Sequence, residues 1–138
     1  MGKGIFVALL ACWALLAVGC GTGRFVQRGI DRYNVADLSG AMGEWRNVES
    51  IEGELNPKGR VRYLVYRGLT HYERGERAEA LHFLSSGRQA YDRGDTAWLP
   101  PNIAAKMNYA LAVLTGAPVP PQAPPFTGPS PATSVPAP

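Results

Sequence analysis

Gly29-Ile30-Asp31-Arg32-Tyr33 and Gly68-Leu69-Thr70-His71-Tyr72 stand 39 positions apart and place a glycine, a large apolar residue and a tyrosine at one spacing. In the same register Ala36 meets Gly75, Asp37 meets Glu76, Ala41 meets Ala80, Met42 meets Leu81 and Trp45 meets Leu84. Glycine inside a helix costs about 1 kcal/mol relative to alanine. Two copies that accept the cost at matching places point to close packing, because helix axes approach only where neither side chain is bulky. The stretch therefore predicts two helix–turn–helix units built alike.

Periodicity around the two copies agrees. Apolar residues recur at helical spacing in four stripes, and no sustained alternation signals strands. One stripe runs through Leu38, Ala41, Met42, Trp45 and Val48, and another through Val61, Leu64, Val65, Gly68, Leu69 and Tyr72. A third holds Ala80, Leu81, Leu84, Gly87 and Tyr91, and a fourth Ile103, Met107, Ala110, Leu111 and Leu114. Asn56-Pro57-Lys58-Gly59 and Asp92-Arg93-Gly94-Asp95 read as turns, while Pro100-Pro101-Asn102 and Gly116 bracket the last helix. The expected fold is all-α, with five helices at about 24–34, 37–52, 60–74, 77–91 and 102–115.

The paired pattern resembles the tetratricopeptide repeat. Gly68, Tyr72, Gly75 and Ala80 match the small residue, aromatic, turn residue and alanine of that family, as do Gly29, Tyr33, Ala36 and Ala41. The resemblance covers about 24–116 and implies a short stack of α-hairpins. Three features depart from it. The period exceeds the family's roughly 34 residues, with the surplus most simply placed in the loop Glu52–Gly59. Arg67 stands where leucine is usual, and Gly87 where alanine is preferred. A plain α-hairpin bundle is the competing architecture. By family analogy the first helices line a concave groove for a partner segment, which assigns Arg62, Val65, Leu69, Tyr72 and Glu73 to the groove in the second unit. Ile30, Tyr33 and Asn34 are assigned to it in the first. Read from packing alone, Tyr33 and Tyr72 are core wedges with their hydroxyls at the rim, and Trp45 and Trp98 are core and loop-anchoring residues.

Upstream, Lys3 precedes an unbroken apolar run from Ile5 to Val18, then Gly19-Cys20. A basic start, an apolar core of about 7–15 residues and a small-residue exit are the parts of a secretory signal. The run falls short of the roughly 20 apolar residues that cross a bilayer. Ala17-Val18-Gly19-Cys20 resembles a bacterial lipobox, which implies removal of residues 1–19 and lipidation of Cys20. An uncleaved short anchor and an ordinary signal cut nearby, leaving a free thiol, are the other readings. Residues 20–23 read as a lipidated, flexible linker. Gly21 is not the aspartate that favours inner-membrane retention, so family sorting rules imply a periplasm-facing outer-membrane protein in a two-membrane bacterium. The inner membrane and the cell surface are the other placements.

Downstream, residues 117–138 hold nine prolines and no charge. Proline fixes φ and lacks an amide donor, so this tail is expected to be disordered, with extended polyproline segments. It reads as a spacer or as a docking peptide.

Composition narrows the function. Cys12 lies in the leader, so Cys20 is the single cysteine expected in the mature chain, and no intrachain disulfide framework can form. Without Lys3, thirteen basic residues face eleven acidic ones, too mild a balance to imply nucleic acid. Phosphate-loop, nucleophile-elbow and His-Glu-x-x-His patterns are absent from the sequence. His71 and His82 lack a third ligand for a metal site. Glu76 with Glu79 and Asp92 with Asp95 read as helix-start and turn charges, not as an acid–base pair. No cofactor, metal or catalysis is expected. The function expected is a membrane-anchored adaptor or assembly factor, pilotin-like, that binds an envelope protein of unknown identity. Apolar end faces would also favour self-association or docking into a larger assembly. The alternative is a structural, wall-associated lipoprotein that uses its tail as spacer or tether.

Overall fold

A computed structural model describes residues 21–94 and 96–119. The leader, Cys20, Asp95 and the tail from residue 120 lie outside them. The described chain is all-α, as the periodicity predicts. Its five helices are α1 (Thr22–Asn34), α2 (Leu38–Glu49), α3 (Pro57–Glu73), α4 (Arg77–Asp92) and α5 (Pro101–Thr115). Short 3₁₀ turns at Glu52–Glu54 and Thr96–Trp98 join α2 to α3 and α4 to α5. Among the described residues no helix is long and apolar enough to cross a membrane.

Helices α1 and α2 form one antiparallel hairpin, and α3 and α4 a second. The two turns share their hydrogen bonds at the 39-residue offset. Ala36 and Gly75 donate to Tyr33 and Tyr72 carbonyls, both at 3.0 Å, and Asp37 and Glu76 donate to Arg32 and His71 carbonyls, also both at 3.0 Å. Ala36 (φ 59°) and Gly75 (φ 78°) both adopt the left-handed conformation that closes a helix end. Glycine does this freely, whereas alanine is strained there.

Mid-helix glycines seat each hairpin. A methyl on Gly29 would collide with the Trp45 ring, and one on Gly68 would lie 2.7 Å from Leu84 Cγ and 2.9 Å from its backbone nitrogen. Gly87 repeats this from the other side, with Val65 Cγ2 at 2.8 Å from a built methyl. Helix α3 is the centre of the molecule. Nine consecutive residues, Tyr63 to His71, are buried, which requires neighbours on every side. Trp45 joins the hairpins: its ring covers Gly29, while its indole N–H donates to Thr70 Oγ1 at 3.1 Å.

Three boundaries differ from expectation. Asn56-Pro57-Lys58-Gly59 opens α3 instead of forming a free turn: the Asn56 side chain accepts from the Gly59 amide at 2.7 Å, and Pro57 takes the first helical position. Both residue types suit those places, since the cap satisfies an orphan donor and proline has none to lose. Helix α2 stops at Glu49 instead of continuing to residue 52, tightening into i→i+3 bonds that carry Leu55 onto the core. The third difference concerns the expected flexible linker, residues 20–23. Helix α1 already begins at Thr22, because Phe25 and Val26 pack on the core and order the turn before them. Only Gly21 separates Cys20 from a helix.

Candidate functional site

The first helices of the hairpins and α5 run side by side in one direction. On their shared face Gln27 meets Arg62 (3.2 Å), Tyr33 meets Tyr66 (ring centroids 5.4 Å apart, edge-on) and the Lys106 ammonium lies 5.6 Å from the Tyr33 ring. The Tyr33 hydroxyl donates to Glu73 at 2.5 Å. Burial foremost, then the Glu73 carboxylate, pushes the Tyr33 phenol far above its ordinary range, so it stays a neutral donor. The Tyr72 phenol is also raised, by burial and by nearby Tyr109, against an opposing effect of Arg77. Tyr33 and Tyr66 are buried beneath this face, and half-buried Tyr72 and Tyr109 lie at its surface with Arg62, Glu73 and Lys106.

The residues expected to line a groove divide here. Val65 and Leu69 are fully buried and Ile30 nearly so. They belong to the core, because the hairpins pack through the same stripe that family analogy placed on the groove. Tyr33 is buried too, with its hydroxyl at the rim, which is the wedge arrangement its packing suggested. Arg62, Tyr72 and Glu73 are half-buried and Asn34 is exposed, and these four remain at the surface of the shared face.

At the foot of this face a cleft of about 550 Å³ opens between Lys58 and Arg62 of α3 and the segment Ala97–Pro101. Trp98 is held there because its ring covers Gly94, where a side chain would displace it. Leu99 anchors the segment in the core while Ala97, Pro100 and Pro101 stay exposed. Trp98 anchors its loop as the sequence suggests, but the cleft is not legible in the sequence. Its one local signal was a tryptophan and two prolines beside a glycine; the pairing with Lys58 and Arg62, some forty residues earlier, is a product of the fold.

On the opposite side of α3 lies Arg67, the residue that departs from the tetratricopeptide-like pattern. Its guanidinium sits 4.2 Å from the Phe83 ring centroid, donates to the Tyr63 hydroxyl and reaches Glu49 at 3.2 Å. His71 stacks on Phe83, centroids 5.4 Å apart and planes 2° from parallel, and its Nδ1 lies 2.6 Å from Glu76. His82 is exposed and touches the edge of Phe83. Among the described residues no group of three or more His, Cys, Asp or Glu could hold a metal ion. Glu76 is bound by His71 and Arg74, and Asp92 by Arg88 at 2.9 Å. Asp95 lies outside the described residues.

Burial by itself would raise the Glu76 carboxyl, but hydrogen bonds from His71 and Arg74, and the charges of both, hold it below its ordinary value of 4.5. A carboxyl depressed by folding adds stability above its unfolded value, and that contribution is lost as pH falls through the lower folded value. Glu76→Gln should therefore lower the melting temperature near neutral pH. The gap to wild type should close as pH is taken down through the carboxylate range. Thermal melts across that range check it, and a gap that persists unchanged in acid contradicts the assignment.

In comparison with known proteins, the chain matches no family model, and no curated protein or solved structure matches it. The functional reading therefore rests on residues and geometry.

Proposed function

We propose that the chain is a non-enzymatic lipoprotein, anchored through an acylated Cys20, whose stacked hairpins act as an adaptor or assembly factor for another envelope protein. The observation that carries this reading is the shared face of α1, α3 and α5, where half-buried Tyr72 and Glu73 and exposed Asn34 lie at the far ends of their helices, with half-buried Arg62 nearer the start of α3. Aromatic residues with a polar edge are the usual anchors of protein interfaces, since they offer large contact area at low entropic cost. The lipobox-like Ala17-Val18-Gly19-Cys20 and the tetratricopeptide-like placing of Gly29, Tyr33, Gly68 and Tyr72 support the same reading. Two acyl chains or more anchor a protein firmly where one would be marginal. The tether concentrates the domain at the membrane, and Tyr72 with its polar neighbours supplies specificity. An outer-membrane, periplasm-facing position follows from Gly21 under the sorting rule.

Affinity capture of the full-length protein from membranes, followed by mass spectrometry, tests both halves. The acyl mass on Cys20 should appear, and a defined partner should co-purify. Tyr72→Ala should reduce that capture about tenfold or more, as loss of an aromatic anchor does, while truncation after Gly116 leaves it intact. Capture lost on truncation and untouched by Tyr72→Ala would favour the structural reading, in which the proline-rich tail is the tether.

A further inference from the structure

We infer that the foot of the helical stack is a seat for anionic phospholipid headgroups, with Lys58, Arg62 and Trp98 as its contact residues. The inference rests on the acylation of Cys20 proposed above and goes beyond the protein-binding face.

The length of the tether comes first. Helix α1 begins at Thr22, and one extended residue spans at most about 3.6 Å. An acylated Cys20 therefore holds the first turn of α1 within a few ångströms of the headgroup layer. The direction of the helices then decides what else lies there. Arg62, in the first third of α3, donates to Gln27, midway along α1, at 3.2 Å, while Tyr33 at the far end of α1 bonds Glu73 at the far end of α3. The two helices run parallel. Lys106 of α5 lies over Tyr33 in turn, and the segment leading into α5 shares its cleft with Lys58 and Arg62. All three helices begin at the end that carries the anchor, and the cleft opens there.

Chemistry at this end fits a bilayer surface. Among the described residues Lys58 has no ion-pair partner, Arg62 donates to a neutral amide, and exposed Arg24 sits two residues into α1. The acids nearby are Glu52, held by Arg60 at 3.5 Å, Asp92, held by Arg88 at 2.9 Å, and Glu54. Among the described residues the cations left over, Lys58, Arg62 and Arg24, outnumber the one acid left over, Glu54; Asp95 lies outside them. Beside them stand the Trp98 ring and the exposed Ala97, Pro100 and Pro101, an apolar rim that tolerates the interface. Tryptophan is enriched at that depth because one edge of its ring is polar. Each cation near an anionic surface strengthens its attachment about fivefold. A zwitterionic surface offers no such gain.

The test uses the protein purified in its mature form, with the acyl mass on Cys20 read first. It is reconstituted into vesicles of phosphatidylcholine alone or of equimolar phosphatidylcholine and phosphatidylglycerol, with brominated acyl chains as fluorescence quenchers. The mature chain holds Trp45 and Trp98, and Trp45 is fully buried, so quenching reports Trp98. In phosphatidylglycerol vesicles the emission should shift to the blue and be quenched. Trp98→Phe should abolish the quenching, and Lys58→Glu combined with Arg62→Glu should reduce it to the level in phosphatidylcholine, with helicity by circular dichroism unchanged. An unmodified Cys20 overturns the anchor reading and this inference together, and is seen before any vesicle is made. Acylated protein with unquenched Trp98, or equal quenching in both lipids, overturns the inference alone. So does a Trp98 emission that answers to polyglutamate and not to vesicles, which would make the cleft a site for acidic protein segments.

Discussion

Trp45→Ala is expected to remove about 3–5 kcal/mol from the unfolding free energy, the usual cost of emptying a tryptophan site. The ring has no solvent exposure, packs edge-on against Tyr63 with centroids 6.0 Å apart, and covers the backbone at Gly29. Its indole N–H also donates to Thr70 across the boundary between the hairpins. Alanine would open a cavity where α1, α2 and α3 meet, and a domain of this size has only about 5–15 kcal/mol in total. Trp45→Phe should cost far less, because it keeps most of the ring and Thr70 still donates to the Tyr66 carbonyl at 2.7 Å. Urea denaturation reads the difference as a lower midpoint at unchanged slope. A loss below about 1 kcal/mol for Trp45→Ala would contradict the role of the ring as the joint between hairpins.

The second large effect separates Gly29 and Gly68, which the repeat marks, from Gly43, a glycine inside α2 that it does not. Gly68→Ala should destabilise by about 1–3 kcal/mol, as overpacking does, despite alanine's better helix propensity. The new methyl would meet the Leu84 backbone nitrogen at 2.9 Å, so α4 as a whole must retreat. Gly29→Ala should act in the same direction, because the Trp45 ring above it has nowhere to go. Gly43→Ala should do the reverse. Gly43 is exposed on α2 with nothing within 4 Å of a built methyl, so alanine adds up to about 1 kcal/mol. For a domain of this size 1 kcal/mol moves the melting temperature by about 4–8 °C. Thermal melts should therefore place Gly43→Ala above wild type and the other two below. Three variants shifting together would sink the close-approach argument.

The stripes that predicted helices were legible because a helix needs only local regularity and one apolar face. The start of α3 is ambiguous in the sequence because Asn56-Pro57-Lys58-Gly59 has the composition of a turn and of a helix start alike. Only the Asn56–Gly59 hydrogen bond distinguishes them. Among the groove residues, Arg62, Tyr72, Glu73 and Asn34 lie at the surface and Ile30, Tyr33, Val65 and Leu69 do not. Family analogy put all eight on the groove side of first helices. Which side of α3 meets a neighbour depends on how α1, α2 and α5 crowd round it, and spacing carries no such information.

By itself the sequence determined the helical class, the two matched hairpins and the need for a small residue at Gly29 and Gly68. These follow from short-range periodicity and from the steric rule that axes approach only past small side chains. Tertiary structure alone decided that Arg67 and His71 lie inside against Phe83, and that Lys58 and Arg62 share a cleft with Trp98 at the end where α1 begins. The reason is physical: such neighbours are set by how whole helices rotate and pack, and residues some forty positions apart leave no local trace of that choice.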